Sequence, residues 1–198
     1  MHRPARRGGE RSRRVAVAGG AVVAIGALDL ARGAANWPVV VVGLLDEPPH
    51  ALTAYLLLLA MGGPLVPGRR EAWVLTGAVL IDLDHLPLFL GRPGWAVAGG
   101  RPATHSLALV LVLLCAGLAG RRAAPLRYLA VGVLLHFLRD LVTGPGVPLL
   151  WPLGRSVLLP YAGYAALLCL AAASCALVAP RLSPAGPPSA PSSPPMPR

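Results

Sequence analysis

The chain contains no lysine: all eighteen of its basic residues are arginine. Together with the abundance of Ala, Gly and Pro, this fits a GC-rich coding sequence and says nothing about function. Charge of any sign is scarce, at 13% of 198 residues, and aromatic residues make up only 5%. So little charge spread over such long apolar runs excludes an ordinary soluble domain. Three cysteines are present, Cys115, Cys169 and Cys175, with no CxxC or Cys–His spacing. That excludes a thiolate metal site and a disulfide framework, and leaves small apolar side chains. The formal charge of +10 does not indicate a nucleic-acid partner. The arginines sit at the N-terminus and at the ends of apolar segments, not along one amphipathic face.

What the chain does have is apolar length. Residues 1–14 form a basic flank with six arginines, and 15–31 is the first apolar run. Ser12-Arg13-Arg14 ahead of that run, with Gly33-Ala34-Ala35 after it, is also compatible with a cleaved signal. A first membrane span is the reading taken, because more spans follow. Residues 37–45 are apolar but short, and Asp46-Glu47-Pro48-Pro49-His50 interrupts the pattern. Five further segments cover 51–66, 72–90, 104–120, 126–142 and 156–179. The tail 180–198 carries eight prolines and reads as disordered. The expected architecture is an all-α polytopic membrane protein of about six transmembrane helices, with a membrane domain over 15–179.

Arginine placement orients it. With a cytoplasmic N-terminus and 37–45 kept as an outer-face or interfacial piece, thirteen arginines fall inside and four outside. This satisfies the positive-inside rule, with both termini cytoplasmic in a bacterial inner membrane.

Ionisable residues inside apolar segments are costly and need partners. Here they are Asp82-Leu-Asp84-His85, Thr104-His105-Ser106 and His136-x-x-Arg139-Asp140, with His50 just ahead of the 51–66 segment. Alternating spans bring His50, Asp82, Asp84, His85, His105, His136 and Asp140 toward one side, the outer one. On helices, His136 and Asp140 share a face, as do Asp82 and His85, while Asp84 points elsewhere. Histidine and carboxylate together are the usual ligands of zinc and related divalent ions. The first ligands expected are His85, His105, His136 and Asp140, then Asp82, with His50 the weakest. Asp84 is expected to act as a base or to orient a histidine. Arg101 and Arg139 are expected to hold an anionic group such as a phosphate. Each part also has a plainer reading. His136–Asp140 forms an ion pair inside a bundle, Arg139 pairs with a nearby aspartate, and Asp46 and Glu47 are solvated loop charges.

The ordered set Asp82-x-Asp84-His85, Arg101-x-x-Thr104-His105-Ser106, His136-x-x-x-Asp140 with Thr143, then Leu149-Leu150-Trp151-Pro152, resembles the YdjM-like family. These are small bacterial inner-membrane proteins described as metal-dependent hydrolases, also called LexA-binding. The resemblance covers residues 46 to 160. It implies a helical membrane domain with His and Asp ligands, matched here by Asp82, Asp84, His85, His105, His136 and Asp140, and less closely by His50. Two positions depart: Ile81 stands where the family often has proline, and Gly100 where it often has histidine before the motif arginine.

The expected function is hydrolysis by water activated on a divalent metal, zinc first, then manganese or another ion, at the outer face. The expected partners are the lipid bilayer and a small-molecule or lipid substrate, an amphiphilic phosphoester in the first instance. No protein partner can be named from the residues. The alternatives are a metal-binding or transport protein without hydrolysis, and a structural membrane protein whose polar residues fix helix packing.

Overall fold

The computed structural model describes residues 4–97 and 100–178. The tail expected to be disordered, 180–198, lies outside the described residues. The fold is all-helical, with no β-strand among the described residues and only two isolated bridges. Its helices are α1 (Pro4–Gly33), α2 (Val39–Ala60), α3 (Arg69–Leu80), the single turn α4 (Leu86–Phe89), α5 (Leu107–Leu118), α6 (Pro125–Asp140) and α7 (Tyr161–Ser174).

Helix α1 runs straight through the boundary expected at residue 14. Its Arg14 is fully buried and donates to Leu59 O (2.6 Å) and Gly63 O (2.8 Å). These carbonyls belong to the last turn of α2 and the bend after it, and Leu59 O also accepts from the Gly62 amide at 2.9 Å. At the other end of α1, Trp37 Nε1 donates back to Ala31 O (2.8 Å), closing the turn into α2. The two helices are therefore an antiparallel hairpin.

Helix α2 differs from expectation. The pieces 37–45 and 51–66 are not separated: one helix of 22 residues passes through Pro48 and Pro49. Proline removes backbone donors and favours a break, but helices packed among other helices tolerate it. The second half of α2 is anchored where Thr53 Oγ1 meets Tyr164 OH at 2.5 Å. His50 is consequently a buried mid-helix residue, not a loop residue.

Helices α3 and α6 come into backbone contact. A Cβ on Gly132 would lie 2.0 Å from Val74 O, and one on Gly77 would lie 2.3 Å from Leu129 O. Only glycine allows two backbones so near each other, as in membrane helix pairs generally. The two helices run parallel, so their starts share one end of the bundle and their last turns share the other.

Two apolar clusters hold the rest. Ala18, Ile25, Leu56, Leu59, Leu168 and Cys175 join α1, α2 and α7. Val110, Ala130, Val133 and Phe137 join α5 and α6. Outside these clusters the usual pattern is inverted. Val23, Leu30, Leu111, Val112 and Leu170 are exposed, while Arg14, His50, His105, His136, Arg139 and Asp140 are buried. That distribution suits an apolar solvent around a polar interior. Two helical stretches, Gly9–Gly33 and Arg69–Phe89, are long and apolar enough to cross a membrane; α5 and α7 are apolar but shorter.

Candidate metal centre

Pro87 shapes the first ligand segment. It lacks a donor for Leu83 O and its ring crowds that carbonyl, which favours a tighter turn ahead of it. Residues Ile81–His85 tighten into a 3-10 turn after α3. Three residues per turn eclipse positions i and i+3, and His85 Nδ1 lies 3.4 Å from Asp82 Oδ1. The same tightening brings in Asp84, which was expected to point elsewhere. Its Oδ1 is 2.9 Å from His85 Nδ1, and its Oδ2 is 3.0 Å from His105 Nδ1 and accepts from the Thr104 hydroxyl. Asp84 thus grips the turn that presents His105 at the start of α5.

The last turn of α6 supplies the other half. His136 Nδ1 donates to Ala78 O at 2.8 Å, across the close α3–α6 contact. A carbonyl only accepts, so Nδ1 carries a proton, and in the neutral ring Nε2 offers a lone pair. That Nε2 lies 2.9 Å from Asp140 Oδ2 and 3.3 Å from Asp82 Oδ1. His105 repeats the arrangement. With Nδ1 on the Asp84 carboxylate, its Nε2 faces Asp82 Oδ1 (3.0 Å) and Asp140 Oδ2 (3.5 Å).

Asp82, His105, His136 and Asp140 therefore each turn one ligand atom toward a common point, all within 4.8 Å of one another. Four ligands about 2.0–2.1 Å from a tetrahedral ion lie roughly 3.3 Å apart. The four histidine–carboxylate distances, 2.9, 3.0, 3.3 and 3.5 Å, bracket that edge. His136 Nε2 and both Asp140 oxygens are buried and make no hydrogen bond. With neutral histidines, lone pairs crowded together in this way repel, and a cation between them relieves the repulsion in addition to Arg101 at Asp140 Oδ1. A second overlapping group, Asp82, Asp84, His85 and His105, meets the same distance criterion. The buried His/Asp cluster could thus hold a metal ion.

His50 joins from α2. Its ring stacks on His136 at 3.7 Å, and its Nε2 is 3.5 Å from Asp140 Oδ1. Arg101 is tied down from the side, with Nη2 2.8 Å from Asp140 Oδ1 and Nε donating to Gly146 O at 2.9 Å. A cavity of about 250 Å³ opens beside the cluster, lined by Asp82, His85, Arg101, Glu47, Arg32 and Phe89 among others. Of the four convergent ligands only Asp82 is partly exposed, at 18% of its side chain.

Three acidic residues were missed or misjudged in the sequence. Glu47 is no solvated loop charge: it lines the cavity near Asp82, one turn before His50, with one carboxylate oxygen buried and unbonded. The Glu47–His50 spacing was a helical signal, hidden by the two prolines between them. Asp29 and Asp46 both bind Arg139, through Nη2 at 2.6 and 2.7 Å. Arg139 is fully buried and held by these carboxylates, the plainer pairing with a nearby aspartate. Removing one partner of such a network leaves buried charge uncompensated, at about 3–5 kcal/mol. Arg139→Ala is expected to lower the thermal midpoint sharply, and adding Asp29→Asn and Asp46→Asn to recover part of the loss. No recovery in the triple variant would refute the pairing account.

A family model described as YdjM inner membrane protein matches residues 16–185, most of the chain. The chain belongs to this family. No curated protein and no solved structure matches it. The matched region takes in α1 from residue 16 onward and every residue of the cluster, and the family's description supports a membrane location. It leaves open what the cluster does, and for that the geometry is the guide.

Proposed function

We propose that this chain is a metal-dependent hydrolase of about six membrane-spanning helices, with its site toward the outer face and both termini cytoplasmic. The observation that carries the reading is the pair of histidines whose Nδ1 protons are committed to Ala78 O and Asp84, leaving both Nε2 atoms on Asp82 and Asp140. Metal-bound histidines are oriented in this way. Zinc suits the mixed nitrogen and oxygen donors, and manganese is the runner-up. When bound, such an ion lowers the pKa of a coordinated water to about 7 and supplies the nucleophile.

The chain's own residues divide the remaining work. Asp84 orients His105, a role its contacts with His105, His85 and Thr104 favour over that of a base. Glu47, on the cavity wall, accepts the proton of the attacking water. Arg101, fixed by Asp140 and Gly146, faces an anionic group in the same cavity. The exposed apolar helix surfaces around the site suit an amphiphilic phosphoester drawn from the membrane.

The test is hydrolysis of a panel of amphiphilic phosphoesters by detergent-purified protein, with and without a chelator. Activity is expected to vanish on metal removal and return with zinc or manganese. Glu47→Gln is expected to keep the metal and lose roughly a hundred-fold or more in kcat. Hydrolysis that survives chelation, or survives equally in His136→Ala/Asp140→Ala, would sink the proposal.

A second reading has its own support. The same distances suit protonated histidines paired with carboxylates, which would make the cluster a packing device with no ion. Metal content decides between the two. Transport without hydrolysis would appear as metal flux into proteoliposomes.

A further inference from the structure

The starts of α3 and α6, at the far end of the bundle from the cluster, form a second site. Arg69 and Arg70 open α3, and Arg121 and Arg122 form the 3-10 turn just ahead of α6. All four line one cavity of about 450 Å³, whose other walls include Trp73 and Tyr128. None of the four arginines lies within ion-pair distance of a carboxylate among the described residues. The one acidic neighbour in sequence, Glu71, turns back to accept from the Gly68 amide at 3.0 Å.

Two further features make this more than a set of topogenic charges. The Gly77/Gly132 contact holds the parallel helices α3 and α6 a backbone apart, so residues at the starts of both line the same cavity. The positive ends of the two helix dipoles add to the field there. A rule that only counts cytoplasmic arginines requires neither a walled cavity nor two converging helix starts. Trp73 and Tyr128 are half-buried aromatics with polar tips, the side chains that sit at head-group depth. Val66 and Leu118, strongly exposed, add apolar surface to the loops at this end.

We propose that this cavity binds the phosphate headgroup of an anionic phospholipid in the cytoplasmic leaflet. A phosphodiester fits the fork of paired guanidinium groups. A lipid source is favoured over a soluble anion because α3 and its continuation form one of the two stretches able to cross a membrane, which puts the cavity at the bilayer surface. The proposal stands independently of the metal and of hydrolysis.

The experiment titrates detergent-purified full-length protein with phosphatidylglycerol, phosphatidylcholine and inorganic phosphate, following the thermal midpoint and the lipid that co-elutes. Phosphatidylglycerol is expected to raise the midpoint and co-elute, and the other two to do neither. Arg70→Gln/Arg122→Gln is expected to bind phosphatidylglycerol about thirty-fold more weakly. Arg92→Gln/Arg155→Gln, which removes the same charge elsewhere, is expected to bind as wild type does. Equal effects of phosphatidylcholine, full replacement by inorganic phosphate, or equal loss in the two double variants would each overturn the proposal. Should the first double variant fail to fold, Arg69→Gln/Arg121→Gln takes its place, and the three-ligand comparison on wild type decides alone.

Discussion

Wild-type protein purified in detergent is expected to carry one or two equivalents of zinc or manganese, and His136→Ala/Asp140→Ala none. The double variant removes two of the four convergent ligands, one of them the histidine that Ala78 O holds in place. Losing even a supporting contact at a metal site costs roughly 10–100-fold in affinity, and losing ligands costs more. Elemental analysis after gel filtration reads the outcome directly. His85→Ala adds a count of ions. His85 belongs only to the overlapping group of Asp82, Asp84, His85 and His105. A fall from two equivalents to one in that variant would mean that both groups are occupied. One equivalent in both proteins would place a single ion among Asp82, His105, His136 and Asp140. Wild-type protein without metal, even after reconstitution, would end the hydrolase argument. It would leave a network of charged histidines and carboxylates whose worth lies in helix packing.

Gly132→Leu is expected to be the most damaging single change outside the cluster. A Cβ there would meet Val74 O at 2.0 Å and Ala78 N at 2.8 Å, so backbone, not a flexible side chain, would have to move. Overpacking ordinarily costs about 1–3 kcal/mol, and a clash against a facing helix backbone belongs at or above the top of that range. Separating α3 from α6 also separates Ala78 O from His136 and the 81–85 turn from Asp140, so metal and stability should be lost together. The control is Gly163→Ala, where an added Cβ meets nothing within 4 Å. Folded yield and thermal midpoint are the measurements. A Gly132→Leu protein that melts like wild type would contradict the α3–α6 contact.

Much of the centre was legible because charge inside apolar runs is unusual in itself. Asp82, His85, His105, His136 and Asp140 stood out that way, and the structure gathers them. His50 was undervalued because Pro48-Pro49 reads as a break, and only the packing of α2 against its neighbours keeps that helix whole. Glu47 was lost for the same reason. The inward turn of Asp84 depends on a 3-10 geometry that a period of 3.6 does not describe. Arg139 carries no local sign that its partners are Asp29 and Asp46, since those contacts are purely tertiary. Nor does any pattern single out Gly77 and Gly132 among twenty-three glycines. Close backbone approach is a property of pairs of helices, not of either sequence.

The bond between Asp29 and Arg139 joins residues 110 apart. During synthesis Asp29 leaves the ribosome long before its partner exists, and so does Asp46. The first hairpin can pair Asp46 with its own Arg32 (3.7 Å), but Asp29 must wait for a cation from later in the chain. Only when α6 arrives can the guanidinium settle between them, and that same arrival delivers His136 and Asp140 to the 81–85 turn. Arg139 is thus a clasp on the order of assembly: the step that neutralises Asp29 is the step that completes the centre.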